Sequence, residues 1–65
     1  MKHEYACLYR PPMPGAVPRE GLVEVRHNTN RIIDGRGIWG SVVYNRELSE
    51  KEVKDYELKY LGVAK

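Results

Sequence analysis

Few side chains in this 65-residue chain could carry thiol, acid–base or metal chemistry: Cys7, His3 and His27, with Asp34 as a carboxylate that could join them. A metal centre needs three or four such ligands converging on one point. No C-x-x-C or H-x-x-x-H spacing places two of them together in advance. A Cys–His nucleophile would need the imidazole within hydrogen-bond reach of the thiol, a third group to orient it, and room for a substrate. Ligand clefts run to ~300–1,000 Å³, which so short a chain can hardly enclose unless a dimer builds the cleft. Cys7 alternates with Tyr5 and Tyr9 and reads better as a small core residue. The expectation is therefore a non-enzymatic protein with no catalytic residues, no metal and no cofactor.

Three further patterns concern binding. Gly35-Arg36-Gly37-Ile38-Trp39-Gly40 matches the G-x-G-x-x-G dinucleotide fingerprint letter for letter. That fingerprint works only after a strand and at the opening of a helix, whose N-terminus meets the pyrophosphate. Here Ser41-Val42-Val43-Tyr44 follows, which is strand-like, and a hairpin turn with a bulge accounts for all three glycines. Arg26, Arg31, Arg36 and Arg46 are the densest basic feature. With Trp39 and Tyr44 they could offer cations to phosphates and aromatic faces to bases. Glu24, Asp34 and Glu47 are interleaved, and the net charge of +2 is small, so a solvated mixed-charge surface is the simpler reading. Pro11-Pro12-Met13-Pro14 has the P-x-x-P spacing of ligands for aromatic grooves. The flanking cation pattern is poor, because Arg10 adjoins the first proline directly. A rigid loop over a sheet is the default, with Pro12, Met13 and Val17 as its apolar anchors or as a contact patch for a protein.

The elements that must position these residues are legible as periodicities. Glu4 to Tyr9 alternates, which predicts a strand. Residues 10–18 hold all four prolines and Gly15, which predicts a loop. Leu22 to His27 alternates Val23 and Val25 with Glu24 and Arg26, the pattern of a strand with one wet face. Asn28-Thr29-Asn30 is turn-rich, and Arg31-Ile32-Ile33 could resume a strand. Asp34-Gly35 predicts a type I′ hairpin turn, which needs positive φ at both central residues. Ile38 to Tyr44 is a third strand, in which Gly40 marks a bulge or a close backbone approach. Ser49-x-x-Glu52 is a capping box, and Leu48 with Val53 fits the hydrophobic staple. Val53, Tyr56 and Tyr60 then recur at helical spacing, with Gly62 as the residue after the helix. Tyr56, Leu58 and Tyr60 also alternate, so the helix could stop near Asp55 and a strand follow.

Size bounds the rest. A domain of about 60 residues buries only about 60% of its unfolded surface and is marginal alone. One cysteine excludes an internal disulfide and a Cys-rich zinc framework, leaving packing, self-association or a partner. No apolar run is long enough to span a membrane. Met1-Lys2-His3-Glu4-Tyr5 lacks the apolar region of a secretory leader, and the unpaired thiol suits a reducing cytoplasm.

The residues Trp39-Gly40, Val43-Tyr44, Leu48, Glu52 and Tyr56-Glu57-Leu58 resemble small uncharacterised proteins carried by bacterial phages and integrative elements. The resemblance covers the C-terminal third to half of the chain. It implies a bacterial, cytoplasmic accessory protein, transfers no site residues, and allows the Tyr-Glu-Leu segment to be extended.

The expected molecule is one α+β domain over residues 1–65, a three-stranded antiparallel sheet packed by one C-terminal helix, the alternative being a short helix followed by a fourth strand. Its expected core is Cys7, Val23, Val25, Ile33, Ile38, Val42, Tyr44, Leu48, Val53, Tyr56 and Tyr60. Its expected role is a protein-interaction or self-associating module with an unknown protein partner or a homo-oligomer. The alternative role is nucleic-acid binding through the four arginines.

Overall fold

The computed structural model describes residues 1–13, 15–27 and 31–64. Two central strands carry the fold. In β1 (His3–Cys7) the side chains of Glu4 to Cys7 are all buried, and in β5 (Gly40–Tyr44) every residue is. They pair antiparallel, Tyr5 opposite Val42 and Ala6 opposite Ser41. β2 (Leu22–Arg26) flanks β5 and β6 (Leu58–Val63) flanks β1, giving a four-stranded antiparallel sheet in the order β2-β5-β1-β6. Between β2 and β5 the chain forms a separate hairpin of β3 (Ile32–Ile33) and β4 (Arg36–Gly37). At its turn Asp34 and Gly35 have φ of 54° and 77°, as the Asp-Gly pair predicts. The G-x-G-x-x-G stretch is therefore turn, β4 and the entry to β5.

The expected three-stranded sheet with a long terminal helix is corrected to four strands and a short helix. α1 spans only Glu50–Asp55. Its start is as predicted: the Ser49 hydroxyl accepts from the Glu52 amide, and the Glu52 carboxylate accepts from the Ser49 amide. The helix stops because Tyr56 caps it and Glu57 turns left-handed at φ 54°, which sends the chain back along β1. Leu58 then sits opposite Cys7 and Tyr60 opposite Tyr5. Without β6, β1 would be an edge with a row of unpaired backbone groups beside buried side chains. Satisfying that ladder outweighs the weak i, i+3, i+7 stripe. Gly62, with φ 111°, serves β6 rather than a helix end.

One face of the sheet holds Tyr5, Cys7, Val42, Tyr44 and Leu58, closed by Val17 and Leu48, with Leu22, Val53 and Tyr56 packed at its margin. From the proline-rich loop, Pro12 and Val17 are buried against this face. Pro12 lies against Gly40, where a Cβ would come within 3.1 Å of the Pro12 ring and 2.6 Å of the Arg26 carbonyl oxygen. Gly40 is thus the close approach its position in a strand suggested. The Tyr44 hydroxyl donates to the Pro18 carbonyl at 2.6 Å, and the Tyr5 hydroxyl accepts from the Leu48 amide at 2.9 Å. The tyrosines thus fill the core and satisfy loop backbone at once.

The expected core is partly right. Cys7, Ile38, Val42, Tyr44 and Leu48 are buried, and Ile33, Val53 and Tyr56 are half-buried. Val23, Val25 and Tyr60 are exposed. β2 and β6 are the outer strands, and a register shift between Leu22 and Glu24 leaves Val23 without a partner position on β5. Tyr5, Ala6, Val17, Val43 and Leu58 complete the core in their place.

Candidate functional site

The second face of the sheet carries Glu4, Ala6, Ser41 and Val43, and all four are buried. Glu4 brings a carboxylate into that layer. Its Oε2 accepts from the Ser41 hydroxyl at 2.6 Å, from Arg31 Nη1 at 3.1 Å and from Arg26 Nη1 at 3.3 Å. Burial pushes its pKa up, but the Ser41 hydrogen bond and the Arg31 and Arg26 charges outweigh burial and hold it below its ordinary value. Arg26 also donates to Glu24 at 2.7 Å. Asp34 pairs with Lys59, which lies opposite Ala6, at 2.7 Å. The β3–β4 hairpin is therefore tied across this face at Arg31 and Asp34.

This cluster separates the four arginines. Arg26 and Arg31 converge on Glu4. Arg46 makes a two-pronged pair with Glu52, 2.9 Å on each side, and donates to the Glu20 carbonyl. The paired Arg46 guanidinium and the Ser49 amide hold the Glu52 carboxyl down at about 2. Arg36 sits over the Tyr9 ring at 4.9 Å. Three of the four thus pair with carboxylates of the same chain. Trp39 is half exposed, while Tyr44 is sealed in the core.

The soft-ligand candidates are also apart. His3 and Cys7 stand at opposite ends of β1, about 13 Å along the strand. The His3 Nδ1 lies 2.9 Å from the Tyr60 hydroxyl. Burial pushes the Cys7 thiol up to about 11, so it is protonated at neutral pH. Among the described residues no three of His, Cys, Asp and Glu converge as metal ligands.

Pro12, Met13 and Val17, by contrast, are brought together. With Arg19, Leu22 and Val25 they line a cleft of about 430 Å³ beside β2. Beside it the Ala16 amide donates to the Met13 carbonyl at 2.9 Å. Pro12 and Val17 are its buried floor, while Met13 is 57% exposed. Val25, opposite Val42, faces the same side at the sheet margin and is 37% exposed, and Val23 is 46% exposed. β2 is an outer strand, so its far edge carries backbone groups that no strand pairs among the described residues. Pro14, the last residue of the P-x-x-P spacing, lies outside the described residues, as do Asn28, Thr29 and Asn30.

Sequence reasoning missed Leu22 and Arg19 in the cleft, and Glu4 and Ser41 in the polar cluster. A carboxylate inside an apolar strand was the available signal for Glu4. Its partners depend on strand register, which a single sequence does not print.

Among the described residues no helix is long and apolar enough to cross a membrane. No curated protein and no solved structure matches the chain. The family model described as defence against restriction A C-terminal matches residues 1–63. It is a phage-associated family, as the resemblance implied, and the match spans both strand pairs and α1 rather than the C-terminal part alone. The chain belongs to the defence against restriction A C-terminal family.

Proposed function

We propose that this chain is a non-enzymatic interaction domain that serves a phage's defence against restriction by docking a protein partner along β2 and the adjoining proline-loop cleft. The carrying observation is the exposure of Met13, Val23 and Val25 beside an outer strand. An outer strand next to an apolar cleft suits an extended peptide: the strand edge offers backbone hydrogen bonds and the cleft takes alternate side chains. The register shift at Val23 limits the flat pairing stretch to Glu24–Arg26, so the cleft must supply much of the affinity. The family's description directs this binding to defence against restriction.

The test uses phage carrying the full gene with Met13→Asp and Val25→Asp, plated on restricting and non-restricting hosts. Loss of plating on the restricting host alone, by tenfold or more, with an unchanged melting temperature of the purified variant, is the expected result. Full protection by the folded double variant would overturn the assignment of this surface. Binding to mixed-sequence DNA with a log–log salt slope of about −0.9 per phosphate contact would replace the reading with a nucleic-acid one.

A further inference from the structure

α1 is capped at its start, yet none of its residues is fully buried. Val53 and Tyr56 only lean on the core. The helix stands off the β1–β6 pair and leaves an open apolar groove of about 490 Å³, on whose floor lie Tyr5, Leu48 and Leu58, with Leu8 and Tyr60 beside them. Around the groove stand Glu47, Glu50 and Glu57 against a single lysine, Lys54. Glu57 is paired with Arg10, whereas Glu47 and Glu50 have no ion-pair partner among the described residues. The groove lining is thus net acidic on a chain whose net charge is +2.

We infer that this groove is a second docking site, distinct from the β2 cleft, for a basic apolar segment of a protein partner. The segment inserts one or two large apolar side chains over Val53 and Leu58 and sets Lys or Arg against Glu47 and Glu50. Helix-in-groove and anchored-peptide recognition combine these two features, apolar anchors for affinity and rim charges for orientation. An acidic segment meets like charge at the rim, and an uncharged one forgoes the steering.

The test is a ¹⁵N-correlation titration of the whole chain with two synthetic twelve-residue peptides of alternating Leu and charged residues, one with Lys and one with Glu. The lysine peptide is expected to shift the amides of Leu8, Val53, Leu58 and their neighbours. Its affinity should fall at least fivefold between low and moderate salt and at least tenfold in Glu47→Lys/Glu50→Lys, with the melting temperature retained. Met13→Asp should leave it unchanged, so this site and the β2 cleft fail or stand separately. Shifts confined to β2 and the proline loop, equal binding of the glutamate peptide, or no shift with the lysine peptide would each overturn the inference. A second variant, Val53→Ser, guards against a purely electrostatic surface: undiminished binding there would also overturn it.

Discussion

The two faces of the sheet are buried by different chemistry. One is closed by Tyr5, Cys7, Val42, Tyr44 and Leu58, with the Tyr5 and Tyr44 hydroxyls tied to the backbone at Leu48 and Pro18. The other is closed around the carboxylate of Glu4, gripped by Ser41, Arg26 and Arg31. The apolar face gains from every atom removed from water, and its ionisable groups, the Cys7 thiol and the Tyr5 and Tyr44 hydroxyls, are pushed up by burial and stay neutral in acid. The charged face is stabilised by the ionised Glu4 and loses that contribution when the carboxylate is protonated or its partners are removed. A small chain can thus shield both faces of a sheet without a disulfide, but only one of the two is indifferent to acid. The same comparison explains why Arg26 and Arg31, two of the four arginines that read as a binding surface, turn to Glu4.

The largest expected effect breaks the apolar face. Tyr44→Ala should cost about 3–5 kcal/mol, the range for deleting a core aromatic, enough to unfold so small a chain in urea titrations. Tyr44→Phe isolates the hydroxyl: the Pro18 carbonyl loses its donor, at about 1–3 kcal/mol. On the charged face, Glu4→Gln should cost about 1.5–3 kcal/mol, the range for hydrogen bonds to a charged group. The lower part of that range is favoured because Arg26 and Arg31 are each about a third exposed and rehydrate. If Glu4→Gln proved as costly as Tyr44→Ala, the hierarchy of the two faces would be reversed.

Acid sharpens the contrast. A carboxyl held below its ordinary value in the fold adds stability that is complete above that ordinary value. The contribution is lost as pH falls through the folded value. Glu4 is held below 4.5 and Glu52 at about 2, so thermal midpoints should be level above pH 5 and fall between about 4.5 and 2. In Glu4→Gln the fall should be shallower; an unchanged pH profile would show that Glu4 is not a fastener. Smaller still, Ser49→Ala removes the cap of α1 and should cost about 1 kcal/mol. It does so without touching either face, and the loss should appear as faster amide exchange across Glu50–Asp55. Smallest in stability is Cys7 alkylation: with the thiol pushed up to about 11 by burial, labelling should follow global unfolding. Rapid labelling of the native chain would mean that the apolar face opens locally.

Several features were legible from single residues and short spacings. The capping box at Ser49 and Glu52, the Asp34-Gly35 turn and the close approach at Gly40 appear as read, and the strand read over Glu4 to Tyr9 is present but runs His3–Cys7, ending before Leu8. Pro12, Met13 and Val17, which read as apolar anchors of the loop or as a contact patch, line one cleft, with Pro12 and Val17 buried and Met13 exposed. Each rests on local chemistry: a side chain that bonds its own backbone, a residue that tolerates positive φ, a ring that cannot donate. The fate of Tyr56 to Tyr60 was not legible, because those residues satisfy both a helical and a strand period.

The amino-acid sequence by itself determined where elements begin and turn, since caps, turns and proline breaks act over a few neighbouring residues. Tertiary structure alone decided that the last segment is β6, that Val23 and Val25 lie exposed on an outer strand, and that Arg26 and Arg31 turn inward to Glu4. Those outcomes depend on which strand lies beside which and in what register, for pairing distant segments brings Glu4 opposite Val43 and Ser41 opposite Ala6. A one-residue slip would carry every side chain of a strand to the other face, so burial and charge pairing here belong to the assembled sheet and not to any one segment.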